Sequence, residues 1–331
     1  MRVVSLGSGS SGNAYLVEAG PQGRTRLLLD AGLSARMLTT RLASVGVSPL
    51  QLQGILVTHE HSDHVRGIPV LVKNHSLPVI ANTHTLKAIQ EGIVTGVWST
   101  DSGKLVPAYQ KSDTDTQPEV LLTKNGADTA NAALLESQPG QIGVAVADGA
   151  FSTSPASQYL FSALVFPSGT RRIVGDITIT SFAISHDATA PCGYLLEAGG
   201  CRVCLVTDSG EVTLAMLEQM QHADLLILES NHDRERLRRG PYPWMLKRRI
   251  LSPTGHLAND QAAEAVLRIW REGGMRWLWL AHLSRTNNTP QLALENMRLS
   301  LLAAHVNLSY IQIVALPPTM GAIWDSTRLW L

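Results

Sequence analysis

The segment His59-Glu60-His61-Ser62-Asp63-His64 sets three imidazoles and a carboxylate within six positions, directly after the apolar run Gly54-Ile55-Leu56-Val57-Thr58. Imidazole nitrogens and carboxylate oxygens at this spacing are donors for a divalent metal. The short β-branched run before them reads as a buried strand whose C-terminal end delivers the ligands. The design recurs along the chain: Ser185-His186-Asp187 follows the alternating run Asp176 to Phe182, Asp208 follows Cys201 to Thr207, and His282 follows Arg276 to Ala281. His59, His61, Asp63, His64, His186, Asp208 and His282 are thus seven candidate ligands beyond strands. A catalytic ion takes three or four protein donors and keeps a position for water, so seven donors suggest two ions sharing a carboxylate and a hydroxide. Donors of this kind, with no thiolate among them, suit zinc and equally manganese or iron.

The elements that must hold these side chains follow from the apolar patterning. Val3 to Leu6, Ala14 to Glu18 and Arg26 to Asp30 read as strands, and Leu33 to Val45 carries helical spacing that stops at Gly46. Helices are expected near Glu211 to Gln221 and from Asp260 to Arg271, with a strand at Asp224 to Leu228 between them. Residues 95–165 break the pattern with polar stretches such as Lys111 to Pro118, and are expected to be a surface insertion, mobile or loosely folded.

Composition narrows the function classes. The chain has 331 residues, 44% of them hydrophobic, and 27 basic side chains balance 27 acidic ones, so any affinity for a polyanion must come from a local patch. The opening Met1 to Leu6 is too short for a signal-peptide core, and no apolar run approaches the roughly 18 residues of a membrane span, which implies a cytoplasmic protein without a membrane partner. Cys201 and Cys204 have CxxC spacing but lie in a strand-like run, where core packing outweighs redox chemistry. Gly7-Ser8-Gly9-Ser10-Ser11-Gly12 lacks the lysine of a P-loop and precedes a strand, so it lines the metal cleft or is a plain turn. His75, His84, His222 and His305 have no ligand-like context.

His-x-His-x-Asp-His followed by isolated His, Asp and His at strand ends resembles the metallo-β-lactamase superfamily. That resemblance implies an α/β fold, a four-layer αββα sandwich of two mixed sheets flanked by helices, forming a single domain over residues 1–331. It also implies that His59, His61 and His186 hold one divalent ion, that Asp63, His64 and His282 hold the other, and that Asp208 bridges them, with zinc or manganese as the metal. Asp30 matches the motif aspartate that orients a ligand histidine, the alternative being a turn-forming Asp before Gly32. Further strings, among them Leu228-Glu229-Ser230-Asn231-His232-Asp233, Gly240-Pro241-Tyr242-Pro243-Trp244, Gly255-His256-Leu257 and Ala281-His282-Leu283-Ser284, resemble the YycJ/WalJ group, described as 5′ to 3′ exonucleases acting on DNA ends and related to RNase Z-like nucleases.

A polyanionic substrate is also suggested by the residues themselves. Between Asn231 and Ile250 the chain holds Arg234, Arg236, Arg238, Arg239, Lys247, Arg248 and Arg249 against Asp233 and Glu235, a strip that can neutralise phosphates or can be a solvated helix face with Arg–Glu pairing. Tyr242 and Trp244 can stack on an end base or pack a turn against the core. His256 lies shortly before Asn259, read as the cap of the next helix, where backbone amides favour an anion. In the superfamily's tRNA-processing nucleases a similar Gly-His motif contacts the scissile phosphate, which implies catalytic and substrate-binding roles for His256. The competing reading is a packing histidine. Asn231 and His232 are expected to position substrate or support a ligand. The resulting expectation is a dinuclear hydrolase whose metal-bridging hydroxide attacks a phosphodiester of nucleic acid, DNA in preference to RNA, with Asp63, Asp208 and His256 catalytic. The alternatives are an RNA-processing nuclease, a small-ester or thioester hydrolase, and a metal-binding adaptor without turnover.

Overall fold

The computed structural model describes residues 1–100, 105–107 and 159–329. Two seven-stranded sheets run, in spatial order, Ile323–Asp325, Arg2–Gly7, Ala14–Ala19, Thr25–Leu29, Gly54–Leu56, Val79–Ala81, Ala163–Val165, and Gln312–Ala315, Trp277–Ala281, Leu225–Glu229, Cys201–Val206, Cys192–Ala198, Ile177–Ala183, Arg171–Val174. Each sheet is antiparallel on one flank and parallel on the other. The parallel strands are the ones that read as uninterrupted apolar runs, because helices cover one face and the partner sheet covers the other.

Three apolar seams separate the four layers. Tyr15, Leu27 and Leu29 of the first sheet meet Ile179, Tyr194, Leu205 and Trp279 of the second across the central seam. On the outer face of the first sheet, Leu16, Leu28 and Ile55 pack on Leu38 and Leu42 of the helix Ala35–Ser44 and on Leu86 and Ile89 of the helix Thr83–Thr95. On the second, Cys204, Leu226 and Leu278 pack on Ala262 and Val266 of the helix Asn259–Ile269 and on Met297 and Leu301 of the helix Pro290–Ala303. Strand alternation explains the division: in Trp277–Ala281 the odd-numbered side chains face the sheet–sheet seam and the even-numbered ones face the helices. The αββα sandwich is the expected fold class.

Cys201 and Cys204 are buried, unpaired, and turned to opposite faces of one strand, so they pack and cannot bridge. The Glu211 to Gln221 expectation shortens to a helix Leu214–Met220, because Thr213 caps it by accepting from the Met216 amide. Asn259 is not a cap. Ala258 holds the N-cap position, and Asn259 is the first helical residue, its carboxamide drawn to Ser230 and Asn288 instead. Within the range 95–165, Val97–Ser99 pairs with Leu105–Pro107 as a two-stranded ribbon and Ala163–Val165 forms the edge of the first sheet. Residues 108–158, the bulk of the expected insertion, lie outside the described residues.

Candidate metal centre

All seven candidate ligands converge at one edge of the sandwich and all are buried. His59 to His64 follow the Gly54–Leu56 strand, His186 follows Ile177–Ala183, Asp208 follows Cys201–Val206, and His282 directly follows Trp277–Ala281. Three site residues at strand ends have left-handed backbones, Asp30 (φ 56°), Asp208 (φ 60°) and His282 (φ 54°). A non-glycine residue in that region costs on the order of 1 kcal/mol or more and persists only where its surroundings impose it. Here the sharp turn swings the side chain off the strand line and into the cluster at the edge of the sandwich.

The donor atoms fall into four overlapping sets, one of them Asp208, Glu229, His256 and His282. Donors of His59, His61 and His186 lie within 4.8 Å of one another, and so do those of Asp63, His64 and His282; His59, His64 and Asp208 form a third such set that joins them. Each ring whose contacts define it is gripped at one nitrogen and aims the other inward. His64 Nδ1 donates to Asp30 Oδ2 at 2.8 Å, and His186 Nδ1 donates to the Gly255 carbonyl at 3.1 Å. His59 Nδ1 meets Thr58 Oγ1 at 3.0 Å, and its Nε2 is buried with no hydrogen-bond partner. His186 Nε2 and His61 Nδ1 face one another at 3.2 Å. Asp63 Oδ1 and both oxygens of Asp208 are buried without an aligned donor, although Asp208 Oδ2 sits 3.1 Å from His64 Nε2. Buried carboxylate oxygens and ring nitrogens left this way are costly unless a cation satisfies them. The donor set therefore fits divalent metal.

The local charges agree. Burial works against protonated His64 and His282, but Asp208 outweighs it, assisted by Asp30 and Asp63 at His64 and by Asp63 and Glu229 at His282, so both rings are held well above the usual imidazole range. Burial likewise works against ionised Asp208, and His282 and His64 hold it well below the carboxylate range. At His59, burial and then the neighbouring His64 and His61 push the ring well below its usual value. The rings beside Asp208 thus hold protons only because carboxylates are concentrated there, and a divalent ion would displace them.

Asp30 is fully buried, and besides His64 it accepts from the Thr58 amide at 2.8 Å, so it orients the His64 ring and fixes the loop that carries it. Glu229 escaped the sequence reading. Its Oε1 accepts from His256 Nδ1 at 2.8 Å and His282 Nδ1 at 2.9 Å, and its Oε2 accepts from the Ser209 and Leu257 amides. Burial pushes this carboxyl up, and His256 and His282 more than offset it, leaving its pKa lowered. The glycine-rich loop does line the centre: Asn13 Nδ2 is 3.1 Å from His64 Nε2, and Ser8 Oγ accepts from the His282 amide. Glu229 and Asn13 are polar residues beside apolar strand runs, and Glu229 also lies in the string Leu228 to Asp233, but neither signal assigned it a role.

A cavity of about 250 Å³ opens beside Asp63 and His256. Ser10, Ser62, Arg66, Asn231, Tyr242 and Leu246 are among the residues that line it. Asn231 also donates to the His282 carbonyl at 3.0 Å. His232 does not reach the cavity; it is fully buried, and neither ring nitrogen has a partner. Arg238, Arg239 and Trp244 also lie outside it. Arg239 pairs with Glu235 at 2.6 Å, as a solvated helix face would, while Trp244 is 70% exposed rather than packed against the core.

A two-sheet sandwich with a buried His/Asp cluster on one edge defines a class. Residues 7–213 match the metallo-beta-lactamase superfamily and residues 165–275 a beta-lactamase superfamily domain. The chain belongs to the metallo-beta-lactamase superfamily, and its site is that of a metal-dependent hydrolase. Among relatives it is similar to Exodeoxyribonuclease WalJ of Streptococcus pneumoniae, 33% identical over 288 residues, 87% of this chain and 83% of that one. To Exodeoxyribonuclease YycJ of Bacillus anthracis it is 32% identical over 288 residues, 87% and 84% of the two chains. A 47-residue stretch is 49% identical to Ribonuclease Z of Pyrobaculum neutrophilum, covering 14% of this chain and 15% of that one. In fold it is similar to the metallo-beta-lactamase fold protein YhfI of Bacillus subtilis, with a TM-score of 0.56 at 17% identity over 98% of both chains. Among the described residues no helix is long and apolar enough to cross a membrane.

Proposed function

We propose that this protein is a dinuclear metal-dependent exonuclease that hydrolyses phosphodiesters at DNA ends. The observation that carries the reading is the pairing of two buried donor sets with His256, which is held by Glu229 at 2.8 Å and borders the cavity. Similarity to exodeoxyribonucleases over most of the chain points the same way. His59, His61 and His186 would hold one ion, Asp63, His64 and His282 the second, and Asp208 both. Bound there, divalent ions supply hydroxide near neutral pH and draw charge off the phosphate. His256, which lines the cavity, is our candidate for the group that meets the leaving oxygen of a phosphate bound there. As the P–O bond breaks, the ring gives that oxygen a proton, and the Glu229 contact at Nδ1 holds the ring in position for the transfer. Asn231, fixed to the His282 carbonyl and lining the same cavity, orients the phosphate.

Zinc and manganese both suit this donor set. RNA processing is the second reading, favoured by the short match to Ribonuclease Z. The test is metal analysis of the purified protein, followed by end-labelled DNA and RNA substrates with Mn²⁺ or Zn²⁺. Bound metal and stepwise shortening of DNA from its 5′ ends, abolished in Asp63→Ala and His61→Ala, is the expected result. Cleavage confined to RNA or to small esters, or full nuclease activity in either variant, overturns the proposal.

A further inference from the structure

A second cavity, of about 270 Å³, adjoins His282 without any candidate metal ligand among the described residues that line it. Ser284 is the one described residue that lines both this cavity and the cleft beside Asp63 and His256. Leu283, Leu316 and Pro318 give it apolar walls, and no carboxylate is among its described lining residues. Its volume falls below the roughly 300–1,000 Å³ of sites that enclose drug-sized ligands, so its occupant is small.

The polar groups on these walls are donors. Ser8 Oγ accepts from the Tyr15 hydroxyl at 3.1 Å and from the His282 amide at 2.8 Å, Ser284 Oγ accepts from the Asn287 amide at 3.1 Å, and Thr289 Oγ1 accepts from the Leu292 amide at 3.1 Å. None of the three hydroxyls donates to a described residue, so each still has its O–H to give. Ser8 and Ser284 are buried, where such a group gains most from an acceptor. The lining carboxamide offers no acceptor in exchange, because Asn288 Oδ1 already accepts from the Thr289 amide and from Asn259. Arg285 adds a guanidinium that pairs with no described carboxylate. Donors without acceptors select an oxyanion, and the planar fork of arginine matches two oxygens of a phosphate while hydroxyls reach the others.

We propose that this cavity is an effector site for a phosphate group, separate from the catalytic cleft, and that filling it tightens the metal centre. Arg285 pairs with the phosphate charge, and Ser8, Ser284 and Thr289 donate to its oxygens. Ser8 is the link. A hydroxyl that donates to an anion becomes a stronger acceptor, so bound phosphate strengthens the grip of Ser8 on the His282 amide and on the left-handed turn that aims this ligand. The linkage is reciprocal, so bound metal tightens phosphate by the same factor. Apolar walls admit a body attached to the phosphate. Inorganic phosphate and a mononucleotide, the product of the proposed reaction, therefore share the required chemistry, and the site stands whether or not the protein cuts DNA.

The experiment titrates the Mn²⁺-loaded protein with inorganic phosphate, dAMP and deoxyadenosine by calorimetry, for the wild type, Arg285→Glu and Arg285→Lys. Phosphate also binds the metals directly, so the wild type is expected to show two sites. Arg285→Glu should weaken only one of them, by at least about tenfold, the scale of a hydrogen-bonded charge pair. Arg285→Lys should retain part of that affinity, and deoxyadenosine should not bind. Because Arg285 is exposed and has no described partner, its replacement should leave the melting temperature of the unliganded protein in place. Mn²⁺ affinity, read by competition with a chelating dye, should rise with dAMP about fivefold more in the wild type than in Arg285→Glu, the low end of coupling between sites. Tighter binding of dAMP than of inorganic phosphate supports the site with the mononucleotide as effector; equal or tighter binding of inorganic phosphate supports it with free phosphate. A single site in the wild type, or two that Arg285→Glu leaves unchanged, overturns it. A cavity that fills with no difference in Mn²⁺ affinity between wild type and variant overturns the coupling. The nuclease reading stands or falls separately, on the end-labelled substrates.

Discussion

Glu229→Gln is the most informative single change, because it is nearly isosteric and alters one charge at a junction of four donors. The wild-type carboxylate accepts from His256 Nδ1 and His282 Nδ1 on one oxygen and from two backbone amides on the other, with no exposure to solvent. Glutamine keeps one acceptor oxygen, so whichever way the amide turns, its NH₂ faces two donors. If it faces the backbone, two hydrogen bonds to a charged group are lost, at about 1.5–3 kcal/mol each. If it faces the rings, His282 and His256 must present bare Nδ1 atoms, which moves the His282 proton to Nε2, the nitrogen that points at Asp63 and the metal position. Either route weakens the centre, and loss of such an outer partner typically costs about 10–100-fold in metal affinity or activity. The expected outcome is a melting temperature lowered by several degrees, weaker binding by metal titration calorimetry, and kcat reduced by about 100-fold where His256 also loses its Glu229 partner. A Glu229→Gln protein with wild-type metal affinity and wild-type kcat would refute the argument that this carboxylate couples the two histidines.

Two further outcomes follow from the packing. At Gly32, a Cβ would lie 1.5 Å from the Asp63 carbonyl oxygen, so Gly32→Ala must push the ligand loop out by more than an ångström; metal stoichiometry and nuclease activity should both collapse, by about 100-fold or more in rate, and a fully loaded, active variant would contradict the placement. Burial, aided by the His256 charge, holds His232 at a pKa of about 4, whereas the unfolded ring titrates near 6.5. Its contribution is therefore complete above pH 6.5 and is lost as pH falls toward 4, by about 3 kcal/mol at 1.36 kcal/mol per pH unit. Denaturant melts of wild type and His232→Phe should show the wild type losing about 3 kcal/mol relative to the variant between pH 6.5 and 4, and parallel profiles would count against it.

Most of the candidate ligands were readable because they sit beyond continuous apolar runs, the pattern of strands buried on both faces, whereas His186 follows the alternating strand Ile177–Ala183. His59 to His64 after Gly54–Leu56, Asp208 after Cys201–Val206 and His282 after Trp277–Ala281 all follow that rule. Glu229 was hidden by the same rule. It closes the strand Leu225–Glu229, and a carboxylate there has no meaning until loops 27 and 53 residues further along the chain bring His256 and His282 onto it. Asn259 was misplaced by one residue because the capping preference of asparagine is local, whereas the pull of Ser230 and Asn288 is tertiary.

The left-handed backbones at Asp30, Asp208 and His282 show why strand ends host this chemistry. A strand continued in extended form would alternate its side chains between the two faces of its sheet, toward apolar seams where a charged group is expensive. Reversing the sign of φ at the first or second residue beyond the strand instead turns the side chain along the sheet edge, where the partner sheet ends too and where its own ligands arrive. Each such turn is strained, and the strain is tolerable because the strands behind it are locked on both faces by the apolar seams. The rigidity of the apolar runs and the precision of the metal centre are therefore one property. It follows that the seven donors can be held in place before any ion binds, with the cost of organising them met by folding rather than by metal affinity.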